Sequence, residues 1–299
     1  MSEQFCDVGR GITLCYETFG EETASPLLLI MGLGTQMLGW PDGFCEQLAE
    51  RGFHVVRFDN RDAGRSTQVR GRPPSLWQLA LRRITPVLYT LSDMAEDARG
   101  LLRALRLEPA HVVGASMGGM IAQTLAAEHP EAVRSLVSIM SNTGSRWSGN
   151  PSLAIYRFWM TRPPQDRDSY IERSTNVFGA IGSKGLPQDT ELYAQIAARS
   201  YDRGYDPAAS GRQLGAIFAS GDRTKQLRSI TAPTLVIHGS KDPMVSRSGG
   251  VATAKAIPDA QMITIEGMGH DLPSAAWSRL LDAISEHARA AERDAVGAQ

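Results

Sequence analysis

The chain is poor in cysteine. Cys6, Cys15 and Cys45 are the three in 299 residues. They make no Cys-x-x-Cys pair and no even-numbered set, which excludes a disulfide scaffold. They read as reduced, largely buried thiols in a reducing compartment. Long apolar runs are missing too. The longest, Leu27 to Met31, has five residues, where a bilayer span needs about 20. Neither sign of charge prevails: Lys and Arg number 31, Asp and Glu 32. No Lys/Arg block points to nucleic acid, and no polybasic segment to a charged membrane surface. Met1-Ser2-Glu3-Gln4 lacks the basic-then-apolar order of a signal peptide. These absences leave a soluble cytoplasmic globular protein, without stable membrane insertion, as the expectation. An apolar content of 42% and a charged content of 21% fit it. The length allows one large core, or a core with a smaller inserted domain.

The pattern that is present alternates strand and helix. Residues 11–19 alternate as a half-buried strand does, in an antiparallel edge hairpin. Leu27 to Met31 is apolar on every side, as a strand covered on both faces must be. A helix over 42–51 and a strand over 53–58 follow. Leu91 to Leu105 reads as a helix with Met94, Ala98, Leu101, Leu102 and Leu105 on one face. Ser92 is its expected N-cap, in an incomplete capping box. Val133 to Met140, Thr234 to Gly239 and Met262 to Ile265 are further strands, with a helix over 250–257. Trp277, Leu280, Leu281 and Ile284 define a terminal helix, with His287 on its solvated side and residues 290–299 frayed. His238 reads as a packed core histidine, and His129 as a helix-end residue.

The stretch with the most chemical information is His111-Val112-Val113-Gly114-Ala115-Ser116-Met117-Gly118-Gly119-Met120. A β-branched run stops at a glycine, a serine follows, and a helical pattern then runs to about Glu128. A tight turn between strand and helix brings backbones close together, so the flanking residues must be small. Gly114, Ala115, Gly118 and Gly119 are. The turn lifts the Ser116 hydroxyl to the positive end of the following helix, where developing negative charge is stabilised. This resembles the Gly-x-Ser-x-Gly nucleophile elbow of α/β-hydrolases.

That resemblance extends along almost the whole chain. Leu29-Ile30-Met31-Gly32-Leu33-Gly34 stands where the family's loops donate an oxyanion-hole amide. It implies the backbone N–H groups of Leu33 and Met117 as donors. Asp59-Asn60-Arg61-Asp62-Ala63-Gly64-Arg65-Ser66 resembles a charged supporting loop of the family. Gly239-Ser240-Lys241-Asp242-Pro243-Met244-Val245 follows a strand where the family carries its triad acid, which implies Asp242. Gly267-Met268-Gly269-His270-Asp271-Leu272-Pro273 implies His270 as the base, since imidazole is the side-chain type that exchanges a proton near neutral pH. Serine, acid and histidine come in the family's chain order. Within the family the motifs are similar to those of actinobacterial carboxylesterases of the aclacinomycin methylesterase kind. The resemblance does not carry their polyketide substrate over.

The expected fold is therefore α/β: a mostly parallel central sheet with helices on both faces and an inserted helical cap. Residues 1–142 and 226–299 form the expected core. In 143–225 the strand runs stop, and prolines and aromatics such as Tyr156, Phe158, Trp159, Phe178 and Tyr193 interrupt short helical patterns. This is the expected cap. Residues 71–91 are long for a connection and too apolar for a solvated one. They are read either as a flap over the acyl pocket or as side chains packed on the core or cap.

The expected activity is a serine carboxylesterase acting on an apolar small-to-medium ester through an acyl-enzyme on Ser116, with Asp242 and His270 completing the triad. No cofactor and no metal is called for. The partner is a small-molecule ester, not nucleic acid, and a homodimer is among the assemblies left open. Other readings use the same residues: a cofactor-free perhydrolase of the haloperoxidase kind, a thioester or carbon–carbon hydrolase, or a ligand-binding protein with catalysis lost. Serine at 116 disfavours relatives with an aspartate nucleophile.

Overall fold

The computed structural model describes residues 2–152, 155 and 164–297. Eight strands make one sheet: β1 (Gln4–Asp7), β2 (Thr13–Phe19), β3 (Ser25–Ile30), β4 (Phe53–Phe58), β5 (Ala110–Ala115), β6 (Val133–Ile139), β7 (Thr234–Gly239) and β8 (Gln261–Ile265). Their order is β1-β2-β4-β3-β5-β6-β7-β8. β2 is antiparallel to both β1 and β4, and β3 to β8 run parallel. The helices are α1 (Asp42–Glu50), α2 (Leu76–Ala80), α3 (Leu91–Ala104), α4 (Met117–Glu128), α5 (Arg167–Ile181), α6 (Thr190–Arg203), α7 (Ala209–Ser220), α8 (Thr224–Leu227), α9 (Ser248–Ala256) and α10 (Ser274–Gly297).

The central strands are apolar throughout because both faces are covered. Successive side chains of a strand point to opposite faces. Leu28, Ile30 and Val112 accordingly join Leu101, Leu102, Ile121 and Leu125 of α3 and α4 in one core. Leu27, Leu29 and Val113 join Phe44 and Leu48 of α1 and Leu280, Leu281 and Ile284 of α10 in the other. From β3 the chain first goes outward to β4 and then returns to β5 on the other side. Between β3 and β5 lies the switch point at which open α/β sheets form a crevice beyond the carboxyl ends of their strands. Residues 32–34 and Ser116 follow those two strands.

After β6 the chain leaves the sheet. Among the described residues, α5, α6, α7 and the short α8 lie in the interval before β7, and it holds no strand. Tyr156, Phe158 and Trp159 lie outside the described residues. Among the described residues no helix is long and apolar enough to cross a membrane. Cys15 and Cys45 are buried, Cys6 is partly so, and all three are free. Burial pushes the Cys15 and Cys45 thiols up to about 12.

Three expectations are corrected. The N-cap of α3 is Thr90, not Ser92. Thr90 accepts from the Asp93 amide at 3.3 Å, and Asp93 accepts from the Thr90 amide at 2.9 Å. The box is complete two residues earlier, with aspartate replacing the usual glutamate. His287 is half-buried rather than solvated, and its Nε2–H donates to the Pro233 carbonyl at 3.1 Å. The terminal helix continues through Gly297 instead of fraying at 290. Ala291 is buried, and Glu292 binds His111 at 3.3 Å and Arg134 at 3.5 Å. Residues 71–91 divide: Leu88 and Tyr89 pack on the core and Pro73 and Pro74 on α7, whereas Leu76, Trp77 and Leu81 stand in solvent.

Candidate active site

Ser116 sits between β5 and α4 with φ 55° and ψ −118°. This backbone state is costly for a residue with a side chain, by about 1–3 kcal/mol. The surrounding structure holds it there. The Ser116 amide donates to the Ile139 carbonyl at 2.9 Å, and its carbonyl accepts from the Met120 amide at 3.2 Å. The flanking glycines leave no room for a side chain. A Cβ on Gly114 would come within 2.2 Å of the Gly118 carbonyl oxygen. One on Gly118 would lie 2.0 Å from the Ile30 carbonyl oxygen.

Two loops from distant parts of the chain meet this serine. The β8–α10 loop brings His270, whose Nε2 lies 2.9 Å from the Ser116 hydroxyl. The loop after β7 brings Asp242, whose Oδ2 lies 2.8 Å from Nδ1 of His270. The other Asp242 oxygen accepts the amides of Met244 and Val245 at 2.9 and 2.8 Å. That arrangement orients the carboxylate. It also makes Nδ1 the protonated nitrogen of His270 and leaves Nε2 free to accept from the serine. His238, fully buried in β7, donates through Nε2 to the Val245 carbonyl at 2.8 Å, beneath the Asp242 loop. Burial holds its pKa below the ordinary histidine value.

The loop after β3 approaches the serine from the other side. A Cβ at Gly32 would lie 3.1 Å from the Ser116 Cβ, so glycine there lets the loop close on Ser116. Among the described residues, the amides of Leu33 and Met117 have no intramolecular acceptor. Met117 opens the 12-residue helix α4, whose amino-terminal N–H groups carry partial positive charge. Among the described residues no group of three or more His, Cys, Asp or Glu side chains gathers as a metal site. A surface depression of about 560 Å³ lined by residues such as Glu3, Phe5, Arg65 and Arg203 includes none of Leu33, Ser116, Met117, Asp242 and His270.

Several further residues hold the site, of which Gln213, Arg212 and Ser183 were not singled out in the sequence. Gln213 of α7 is fully buried. It accepts from the Gly34 amide at 2.8 Å and donates to the Arg61 carbonyl at 2.9 Å. Arg212 forms a two-pronged pair with Asp62 at 2.6 and 3.0 Å, and Tyr89 donates to the same carboxylate at 2.6 Å. Asn60 donates to the Met31 carbonyl at 2.9 Å. The His270 loop is held from the end of α5. The His270 amide donates to the Ile181 carbonyl at 2.8 Å. The Ser183 hydroxyl accepts from the Gly269 amide at 2.8 Å and donates to Asp271 at 2.5 Å, and Tyr193 donates to Asp271 at 3.1 Å. Burial raises the Asp271 pKa above the ordinary value. No local pattern marks Ser183 or Gln213, and Tyr193 stood out only as one cap aromatic among several, since each acts across a large separation in sequence.

The α/β hydrolase fold family matches residues 25–273 of the chain. Rhodomycin D methylesterase DauP of a Streptomyces species (strain C5) is 30% identical, over 94% of this chain and 96% of its own. A putative non-heme bromoperoxidase of Mycobacterium tuberculosis is 27% identical, over 87% of this chain and 91% of its own. The solved structure of an esterase from a Rhodococcus species superposes with a TM-score of 0.77 at 21% identity, covering 97% of this chain and 99% of that one.

Proposed function

We propose, from the premise that this chain belongs to the α/β hydrolase fold family, that it hydrolyses carboxylic esters through an acyl-enzyme on Ser116. The observation that carries the reading is the unbroken row of hydrogen-bonding distances, 2.9 Å from Ser116 to His270 and 2.8 Å from His270 to Asp242.

In this reading the Ser116 hydroxyl attacks the ester carbonyl while Nε2 of His270 takes its proton. Asp242 accepts from Nδ1–H, keeps the ring in the useful tautomer and stabilises the imidazolium. The amides of Leu33 and Met117 bind the tetrahedral oxyanion, where one donor is worth about 3 kcal/mol. The intermediate collapses, and the imidazolium protonates the departing alcohol. Water then enters, gives a proton to His270 and attacks the acyl carbon. The second collapse releases the acid and returns the proton to Ser116. Residues 1–142 and 226–299 act as the hydrolase core and 143–225 as a cap. Support for the cap role comes from Gln213, Ser183 and Tyr193, which reach from that segment to the loops carrying Leu33 and His270. The substrate is an apolar small-to-medium ester. The relatedness to a methylesterase makes methyl esters of bulky acids the first natural-type candidates.

The test is turnover of p-nitrophenyl esters of graded acyl length, together with a panel of methyl esters, by the wild type and by Ser116→Ala. Loss of roughly 10⁴-fold or more in the variant is expected. Equal turnover in the two proteins would overturn the assignment. Peracid formation from acetate and hydrogen peroxide exceeding ester turnover would replace it with the perhydrolase reading.

A further inference from the structure

We infer that residues 70–87 form a docking surface for an anionic lipid bilayer, a role separate from ester hydrolysis and independent of it. The inference starts from a helix with its polarity inverted. Ser75 caps α2 in a complete capping box with Gln78. Leu76, Trp77, Ala80 and Leu81 follow the i, i+1, i+4, i+5 spacing that places residues on one helical face. That face points to water: Leu76 is 79% exposed, Trp77 78% and Leu81 68%. Val87 adds a fourth apolar side chain at 48%. Gln78 and Leu79, on the opposite side, are the half-buried ones. A solvated surface helix has the reverse arrangement, and clustered exposed apolar groups mark an interaction surface.

The segment is fixed to the body of the protein. Gly211 and Gly215, one turn apart on α7, make room for Pro73 and Pro74. A Cβ at either glycine would lie 2.7 or 2.8 Å from the corresponding proline ring. The Arg82 guanidinium lies 5.3 Å from the Phe218 ring centre on the same helix. At the base, Leu88 fills the space beside Gly71. The apolar face is thus presented outward on an anchored support.

Charge selects the occupant. Between Asp62 and Asp93 the chain carries no acidic residue, yet it has Arg65, Arg70, Arg72, Arg82 and Arg83. Arg70, Arg72, Arg82 and Arg83 are all exposed. In sequence these arginines are spread too thinly to read as a polybasic block, but Arg70 and Arg72 precede the apolar face and Arg82 and Arg83 directly follow it, all four exposed. Leu and Trp side chains that protrude, flanked along the chain by exposed arginines in a segment without acidic residues, suit the boundary between headgroups and acyl chains. Tryptophan and arginine are at home at that depth. A bilayer accepts protruding side chains without a shaped complementary groove, and its anionic headgroups supply the countercharge.

Sedimentation with vesicles tests this on the full chain. Wild-type protein should partition at least ~10-fold more onto equimolar phosphatidylglycerol–phosphatidylcholine vesicles than onto phosphatidylcholine alone. About 0.5 M salt should remove most of the difference. A Leu76→Ser/Trp77→Ser/Leu81→Ser variant should lose roughly tenfold or more of the binding. An Arg70→Gln/Arg72→Gln/Arg83→Gln variant should lose the anionic preference, and it keeps the test valid if the first variant folds poorly. Melting temperatures monitor folding independently of any enzymatic reaction. Wild-type protein that stays in the supernatant with both vesicles overturns the inference. So does full binding by well-folded variants of both kinds. A wild-type dimer that the serine variant converts to monomer, without vesicle binding by either, assigns the face to a second copy of the chain and overturns it as well.

Discussion

The backbone N–H of Gly34 donates to the side-chain oxygen of Gln213 at 2.8 Å, joining residues 179 positions apart. The same amide side chain donates to the carbonyl of Arg61. One fully buried glutamine on α7 therefore ties the loop after β3, with its candidate oxyanion donor Leu33, to the loop after β4. Position 213 should influence the reaction without touching the substrate.

Gln213→Leu should leave the Gly34 N–H and the Arg61 carbonyl buried without partners, at a cost of about 1–3 kcal/mol each. Its kcat should fall by roughly tenfold with KM little changed, less than the 10²–10³ that follows loss of an oxyanion donor outright. Gln213→Glu keeps an acceptor for Gly34 and should retain most of kcat while losing stability. Steady-state kinetics and denaturant unfolding of both variants check this. Equal kcat in Gln213→Leu and wild type removes the positioning role.

Asp242→Asn should preserve the fold and lower kcat by about 10⁴, because an amide can present a donor to Nδ1 and favour the wrong tautomer of His270. Circular dichroism and esterase rates measured on one preparation separate the two effects. A loss of only a fewfold would move the acid role elsewhere.

Gly118→Ala tests the backbone contact beneath Ser116. The added Cβ would sit 2.0 Å from a carbonyl oxygen of β3, and neither backbone can yield without moving the sheet or the elbow. A loss of about 3 kcal/mol or more is expected, at the upper end for single substitutions. Guanidinium unfolding midpoints read it directly. Gly179→Ala, where a Cβ meets nothing within 4 Å, is the control.

Acid should destabilise the protein below about pH 6.5. Burial lowers the pKa values of His238 and His111 in the folded state from the ordinary 6.5. Below that value the unfolded chain binds protons that the folded chain refuses, so unfolding gains as pH falls. The stability contributed by keeping each ring neutral is fully present above 6.5 and is lost as pH drops toward and through the folded value. The slope approaches about 1.4 kcal/mol per pH unit for each such histidine. Urea midpoints at pH 8, 6 and 5 should be flat and then fall, and His111→Gln should shallow the fall. An unchanged slope in that variant would exclude His111 as a source.

The doubly covered strands were legible in the sequence because their burial shows in every residue, as in Leu27–Ile30. The elbow was legible because a turn against two backbones admits only small neighbours around Ser116. Ends of elements were less so. Thr90 and Ser92 are both good caps, and only the position of Leu91 against the core chooses between them. The terminal helix looked frayed after 290 because nothing nearby in sequence predicts that Glu292 meets His111 and Arg134.

Local chemistry thus determined the alternation of strands and helices and the turn that raises Ser116, since each depends on residues a few positions apart. Tertiary structure alone decided that His270 stands 2.9 Å from a serine 154 positions away, that Gln213 and Ser183 hold its neighbouring loops, and that α2 turns its apolar face to water. Those outcomes depend on which distant surfaces meet. Hydrogen bonds of a few ångströms between groups far apart in the chain leave no periodicity or composition to read.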